Sequence, residues 1–151
     1  MLYILQNLLS TYFIPASIEI QPESLLQLAM AVLLIEIMQT DAKSIAEHAT
    51  ILGILKERFS LSNTEVMQLT ERGREIAKDT NDVHQFTTVI NRELELPEKV
   101  HLIEYMWQVA YVDGQVSERE DQLMHKIVDL LHIPPEDNIA ARTRARFPDL
   151  R

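Results

Sequence analysis

Apolar residues recur along the chain with the 3.6-residue period of helices packed on a core, and start signals precede the periodic segments. Ser44, Ser62 and Ser117 are each followed by a glutamate three residues later, which is the spacing of a capping box. Pro22 opens a helix, and Pro97 is placed to be the first residue of another. No segment is a convincing strand. The pattern predicts an all-α bundle of seven to eight helices, including helices over residues 22–39, 45–59, 63–79, 82–91, 97–111 and 118–132 and one that opens at 134–136.

Residues 28–35 are apolar on every side of a helix, which predicts that this helix is central and surrounded by the others. Glu36 follows directly, and a carboxylate at the end of such a run must reach solvent, a cation or hydrogen-bond donors. Apolar positions at helical spacing predict one core with these members: Leu28, Val32, Ile35, Ile51, Leu55, Phe59, Ile103, Trp107, Leu123, Ile127 and Leu131.

Residues 110–120 form the most informative local pattern, a turn between two periodic helices. Gly114 permits the left-handed conformation that ends a helix, Asp113 lies in the turn, and Glu120 lies in the first turn of the next helix. On a helical wheel Glu120 falls among the apolar residues of that helix, so we expect it to point inward. A capping role accounts for Glu120 without any ligand, and that alternative stays open.

A related pattern occurs earlier in the chain and indicates an internal repeat. A shift of 72 residues places Asp41 on Asp113 and His48 on Glu120, whereas a one-residue gap would place Glu47 on Glu120 instead. The repeat predicts two helical hairpins that face each other. An all-oxygen cluster at their turns would suit Ca²⁺, Mg²⁺ or Mn²⁺ rather than a soft metal. The expected metal ligands are Glu36, Asp41, Asp113 and Glu120.

Composition excludes several classes of protein. The 151 residues include no cysteine, which excludes disulfides and thiolate metal sites and makes a reducing cytoplasm the expected location. The formal net charge of −9 argues against nucleic acid as a partner. The charge is uneven, since residues 138–151 carry a net +3 and the remainder of the chain −12. We expect this basic end to be exposed and frayed, without a function of its own.

The first fourteen residues, MLYILQNLLSTYFI, are mostly apolar and carry no charged side chain. The stretch is shorter than the ~20 apolar residues that a membrane-spanning helix needs. No basic region precedes it, so a signal peptide is not expected. We expect a short helix that packs on the core or on a second subunit, which would make the protein a homodimer. An anchor at a membrane surface is the alternative.

Residues 107–120, WQVAYVDGQVSERE, resemble the Ala-(x)-Ala-Asp-Gly-x-(Ile/Leu)-x-x-x-Glu signature of the bacterial tellurite-resistance TerB-like domains. Residues 56–62 and 82–91 look like features of a stand-alone subgroup of that family, and the resemblance covers roughly residues 25–145. The apolar run, the resemblance and the charge distribution together predict three parts of the chain: an N-terminal apolar segment over 1–21, a TerB-like helical domain over 22–145 and a basic C-terminal tail over 146–151.

The resemblance also implies a function. In the family, inward acidic residues on paired Asp-bearing turns are proposed to hold a divalent cation, and no catalysis is established. Family biology is stress-response scaffolding or signalling, often linked to membrane-associated complexes. The resemblance therefore implies a non-enzymatic, tellurite-resistance-like module with a protein partner and no transmembrane span.

Two departures from the family pattern leave alternatives open. The first Asp-bearing turn, residues 41–43, lacks the glycine of the family, and Gln108 stands where the repeat would place the counterpart of Glu36. A metal-free structural or protein-interaction dimer is therefore one alternative. A hydrolase with a carboxylate-bound metal is another, although the chain has no Gly-rich phosphate loop and no nucleophile elbow. One stripe on a helix face indicates solvated surface pairs rather than a zinc site: Asp121, His125, Asp129 and His132.

Overall fold

A computed structural model describes residues 22–39, 45–79 and 82–148, and these ranges contain seven helices and no strand. In chain order the helices are α1 (Pro22–Gln39), α2 (Ile45–Phe59), α3 (Asn63–Asp79), α4 (His84–Glu93), α5 (Leu96–Ala110), α6 (Glu118–Leu130) and α7 (Pro135–Arg146). The predicted all-α bundle is confirmed. None of these helices has the length and apolar character needed to cross a bilayer. The N-terminal apolar segment, with its predicted subunit contact, and Asp41 lie outside the described residues.

Two of the three predicted capping boxes lie within the described residues, Ser62 with Glu65 and Ser117 with Glu120, and both are formed. The backbone N–H of Ser62 donates to Glu65 and that of Glu65 donates to the Ser62 hydroxyl, at 2.9 and 3.1 Å. The hydrogen bond from the Ser62 backbone N–H holds the pKa of Glu65 below its ordinary value. Helix α5 begins one residue earlier than expected, because Glu95 caps it and Pro97 occupies the first turn rather than the first position.

The core is centred on α1, as the apolar run predicts. Every residue from 28 to 35 is buried, and Trp107 and Phe86 are the largest fully buried side chains around it. Two members of the predicted core are only partly buried and pack against its edge, namely Phe59 and Leu123. Helix α6 buries Met124 where the prediction placed Leu123, so its core-facing side is turned from the predicted face. It presents Met124, Ile127 and Val128.

The seven helices divide into two similar halves joined by α4. Helices α1, α2 and α3 form the first half, and α5, α6 and α7 form the second. In each half the third helix packs along the first, and α1 and α5 also contact each other. The repeat is therefore larger than the predicted hairpins, because each half includes a third helix.

The second helix of each half ends with the same C-terminal motif. Ser60 and His132 follow α2 and α6 with positive φ angles of 54° and 58°. The next residue in each case donates its backbone N–H to a carbonyl five residues earlier, from Leu61 to Lys56 and from Ile133 to Val128. These matching ends support the division into halves.

Arg142 and Arg144, near the C-terminus, belong to the folded bundle. Helix α7 extends to Arg146, and Arg142 and Arg144 form ion pairs with Asp121 and Glu104. The prediction of an exposed, frayed end is wrong for residues 138–145, which belong to α7. The reason is that its arginines bind carboxylates that lie 21 and 40 residues earlier in the chain.

Candidate functional site

Glu120 points into the bundle from the first turn of α6, as the helical wheel predicts. Only 2% of the residue is exposed, and Met124, Ile127 and Val128 continue its face of the helix. The Glu120 carboxylate accepts the backbone N–H of Ser117 at 2.9 Å, and the Ser117 hydroxyl accepts the backbone N–H of Glu120 at 3.1 Å. The capping role left open by the sequence is therefore present.

Glu47 occupies the equivalent position at the start of α2. The residue is 3% exposed, and Ile51, Ile54 and Leu55 follow it on the buried face. Glu120 is followed by buried residues at the same spacings of four, seven and eight positions. The alignment with a one-residue gap is therefore the correct one, and Glu47 rather than His48 is the counterpart of Glu120.

Glu36 is half-buried near the end of α1, directly after the central apolar run. Burial raises the pKa of its carboxyl group above the ordinary value of 4.5. Its Oε1 atom is buried and has no hydrogen-bond partner among the described residues. An acceptor oxygen in this state gains from a proton or from a cation, since either replaces the lost hydration.

Asp113 lies on the surface, in the turn between α5 and α6. Its Oδ1 atom accepts the backbone N–H of Gln115 at 3.4 Å, and the next residue, Gly114, has a φ angle of 91°. The left-handed turn predicted at Gly114 is therefore present. The side chain of Asp113 is directed to the local backbone on the exposed side of this turn.

The predicted metal ligands thus lie in different environments. Glu36 and Glu120 are withdrawn from solvent and Asp113 is exposed, while Asp41 lies outside the described residues. Within the part of the chain that the structure describes, no three His, Asp or Glu side chains converge on a common metal position. The four-carboxylate site, which includes Asp41, stays a prediction.

His48 makes a contact that the sequence did not predict. Its Nδ1 atom lies 2.9 Å from Nη2 of Arg74, so the guanidinium donates to a neutral imidazole. Burial lowers the pKa of His48, the Arg74 charge lowers it further, and Glu71 opposes the shift. The pair lines a cavity of about 170 Å³ between α2 and α3, together with Leu52 and Met67. This contact ties α2 to α3.

The acid and histidine stripe of α6 lies at the surface, as expected, and the Asp121–His125 pair is formed. Nδ1 of His125 lies 3.6 Å from Oδ2 of Asp121, and the other oxygen of Asp121 accepts Nη1 of Arg142 at 2.9 Å. His132 follows the end of α6 and has a positive φ angle, so it leaves the line of the stripe. The stripe contributes to helix packing through Asp121.

Comparison with known proteins identifies one family. The family described as "Tellurite resistance protein TerB" matches residues 27–143, most of the chain. The match begins in α1 and ends in α7, so it includes both halves of the fold and all four predicted metal ligands. No curated protein and no solved structure gives a significant match.

Proposed function

The chain belongs to the TerB family of tellurite resistance proteins, and from this premise we propose that it is a non-enzymatic stress-response scaffold or signalling module that binds a divalent cation. Glu36 is the observation that carries the cation part of this proposal. Its buried Oε1 atom has no hydrogen-bond partner among the described residues, and its pKa is raised by burial. A cation at this oxygen would compensate the cost of keeping a carboxylate there.

The chemistry of the ligands limits the choice of cation. Carboxylate oxygens suit Ca²⁺, Mg²⁺ and Mn²⁺, and the chain has no cysteine to favour a softer ion. Glu36 and Glu120 lie on α1 and α6, two helices that contact each other. Asp113 lies in the turn that follows α5, and Asp41 follows α1 in the sequence, outside the described residues. A cation held by these groups would neutralise carboxylates and link the two halves of the bundle.

A metal-free interaction module is the second candidate, and the geometry of Glu120 favours it. One oxygen of that carboxylate already accepts the backbone N–H of Ser117. Capping thus accounts for the inward position of Glu120 without a ligand. Protonation of Glu36 would likewise satisfy its buried oxygen, since burial raises the pKa of that carboxyl group.

Thermal unfolding with added Ca²⁺, Mg²⁺ or Mn²⁺, reversed by chelator, separates these candidates. A cation that binds the folded state adds ~2.7 kcal/mol when its free concentration is ~100 times Kd. We expect Tm of the wild type to rise with cation concentration and the rise to be much smaller in Glu36→Gln and Asp113→Asn. Asp129→Asn is the matched control, because Asp129 is an exposed acid of α6. Equal responses in all four proteins would end the cation proposal and leave the metal-free module.

The pH dependence without cation gives a second readout. Glu36 has a raised pKa in the folded state, so the folded protein binds more protons at this group than the unfolded chain does. The contribution of Glu36 to stability is therefore present below the ordinary pKa of 4.5. It is lost as pH rises through the raised pKa of the folded state. Glu36→Gln should abolish this part of the pH dependence. An unchanged profile would show that Glu36 is solvated in solution.

For partner and location, we infer a cytoplasmic protein that works with another protein in a membrane-associated complex. Membership in the family supports the association with a complex, and the absence of cysteine is compatible with a reducing compartment. The apolar residues 1–14 are the proposed homodimer contact. Light scattering of the full chain and of a Leu5→Asp, Leu9→Asp variant tests this contact. The proposal requires a dimer that the double substitution dissociates, and a wild-type monomer would refute it.

A further inference from the structure

Helix α7 docks on α5 with few apolar side chains. Its only buried residues within the described structure are Ala141 and Ala145, one helical turn apart. Ile139, its largest aliphatic side chain, is 64% exposed. Two alanines allow close approach of the helices but remove little apolar surface from water. Other contacts must therefore define how α7 is held.

Arg142 makes most of those contacts. Its guanidinium carbon lies 4.3 Å from the centre of the Trp107 ring, which is a cation–π distance. Nε donates to the Tyr111 hydroxyl at 2.7 Å, and Nη1 donates to Oδ1 of Asp121 at 2.9 Å. One side chain of α7 is thus recognised by a ring face, a hydroxyl and a carboxylate, which together match the planar, multidentate guanidinium.

Two further hydrogen bonds fix the register of α7 on α5. Nε of Arg144 donates to Oε1 of Glu104 at 2.6 Å, and the indole N–H of Trp107 donates to Oδ1 of Asn138 at 2.9 Å. Glu104, Trp107 and Tyr111 follow one another at helical spacing, so they form one face of α5 and its C-terminal end. We call the surface formed by Glu104, Trp107, Tyr111 and Asp121 the arginine groove.

The strength of this attachment depends on charge. The side chains of Arg142 and Asp121 are each 37% exposed, so their ion pair is screened by salt and is individually weak. The connection from α6 to α7 is short and contains Pro134 ahead of Pro135, so α7 begins as a separate helix rather than as a continuation of α6. Release of α7 would expose Trp107 and Glu104, which it contacts, while the apolar side chains around α1 keep their packing.

We propose that the arginine groove is a recognition site for an arginine-bearing helix and that α7 is its resident, releasable occupant. The partner that fits is a helix with two small residues four positions apart and arginines between them, as in Ala141-Arg142-Thr143-Arg144-Ala145. The acidic character of the chain before residue 138 favours such a basic segment. The site is independent of the proposed cation.

A peptide of residues 134–148, labelled for fluorescence anisotropy, tests the groove in the full-length protein. The resident helix competes at high local concentration, so wild-type protein should bind the peptide weakly. Arg142→Gln in the protein weakens the resident helix and should tighten peptide binding by about tenfold or more. Arg92→Gln is the matched control, because Arg92 pairs with its neighbour Glu93 on α4. Failure of the peptide to bind Arg142→Gln protein would overturn the proposal.

Two sets of substitutions, one in the peptide and one in the protein, test which contacts hold the peptide in the groove. A peptide in which both Arg142 and Arg144 are replaced by glutamine should not bind. Asp121→Asn combined with Arg142→Gln in the protein should remove the gain in binding of the unmodified peptide. If the modified peptide binds as well as the original, the groove does not recognise arginine and the proposal fails.

Trp107 reports release of α7 directly, because it is the single tryptophan of the chain and is fully buried. Acrylamide quenching of its fluorescence should increase at least about twofold in Arg142→Gln and with about 0.5 M NaCl, while circular dichroism keeps most of the helical signal. Arg142→Lys, which keeps the charge but loses the planar fork, is the second variant if Arg142→Gln unfolds. Unchanged quenching in a folded Arg142 variant would contradict the proposed release.

Discussion

Helices α3 and α7 occupy the same place in the two halves of the bundle, yet they are attached by different forces. Helix α3 buries Val66, Leu69 and Ile76. Helix α7 buries two alanines and relies on Arg142 and Arg144 for specific contacts. Apolar burial is insensitive to ionic strength in the dilute range, whereas partly exposed ion pairs are screened. The comparison predicts that the attachment of α7 is more sensitive to salt than that of α3.

Close packing of small residues is common to both attachments. On α3, a Cβ atom at Gly73 would lie 3.0 Å from Cδ1 of Ile35 and 3.2 Å from Cβ of Ala31. On α7, Ala141 and Ala145 are the buried residues. In both halves small side chains allow the third helix to approach the first. The difference between the halves therefore lies in the side chains around that contact.

The largest effect is expected from Ile76→Ala in α3. Ile76 is 1% exposed in the core, so its truncation should reduce the free energy of unfolding by ~2–5 kcal/mol through lost burial and a cavity. Urea denaturation gives the value. Arg144→Gln in α7 provides the comparison and should cost less than Ile76→Ala. A loss below about 1 kcal/mol for Ile76→Ala would show that α3 is not held by its apolar face.

The two glycines of α2 and α3 should respond in opposite directions to a larger side chain. Gly73→Val should destabilise the protein by ~1–3 kcal/mol, because the contact with α1 leaves too little space. Gly53→Ala should stabilise it by ~0.5–1 kcal/mol, since nothing lies within 4 Å of the new Cβ and alanine favours the helix. Thermal unfolding tests the pair. A stabilising Gly73→Val would contradict the close approach of α1 and α3.

Hydrogen exchange should respond to salt in α7 but not in α3. At about 1 M NaCl the amides of α7 should exchange several-fold faster than at low salt, because the partly exposed ion pair between Arg142 and Asp121 is screened. The amides of α3 should keep their protection. Mass spectrometry of peptic fragments distinguishes the two helices. Equal salt responses would remove the distinction between a fixed and a releasable helix.

The smallest effect concerns pH and the contacts between the second and third helices. Because the pKa of His48 is lowered, the unfolded chain binds more protons at this residue than the folded protein does. Stability should therefore fall as pH decreases from the ordinary histidine value of 6.5 toward the lowered folded pKa. His48→Gln should remove this part of the dependence. The counterpart contact between α6 and α7 pairs Asp121 with Arg142. Loss of the same dependence in Asp121→Asn instead would contradict the assignment to His48.

The candidate site could be predicted only in part. The inward position of Glu120 follows from helical spacing, and burial of 98% agrees with it. The choice between Glu47 and His48 could not be made from the sequence, because the two alignments differ by a single residue and both place an ionisable side chain opposite Glu120. The burial of both glutamates decides it. That Oε1 of Glu36 has no hydrogen-bond partner within the described ranges depends on the neighbouring helices and has no signal in the local sequence.

The sequence by itself determined where helices begin and how they present apolar faces. Ser62 with Glu65 and Ser117 with Glu120 interact across three residues, and helical faces repeat within four, so both are visible in a short window. Only the tertiary structure decided that Arg142 would dock against Tyr111 and Asp121, which lie 31 and 21 residues earlier. The physical reason is that a cation–π contact and an ion pair between helices depend on how the helices pack, and that packing is set by the whole core rather than by the residues beside the arginine.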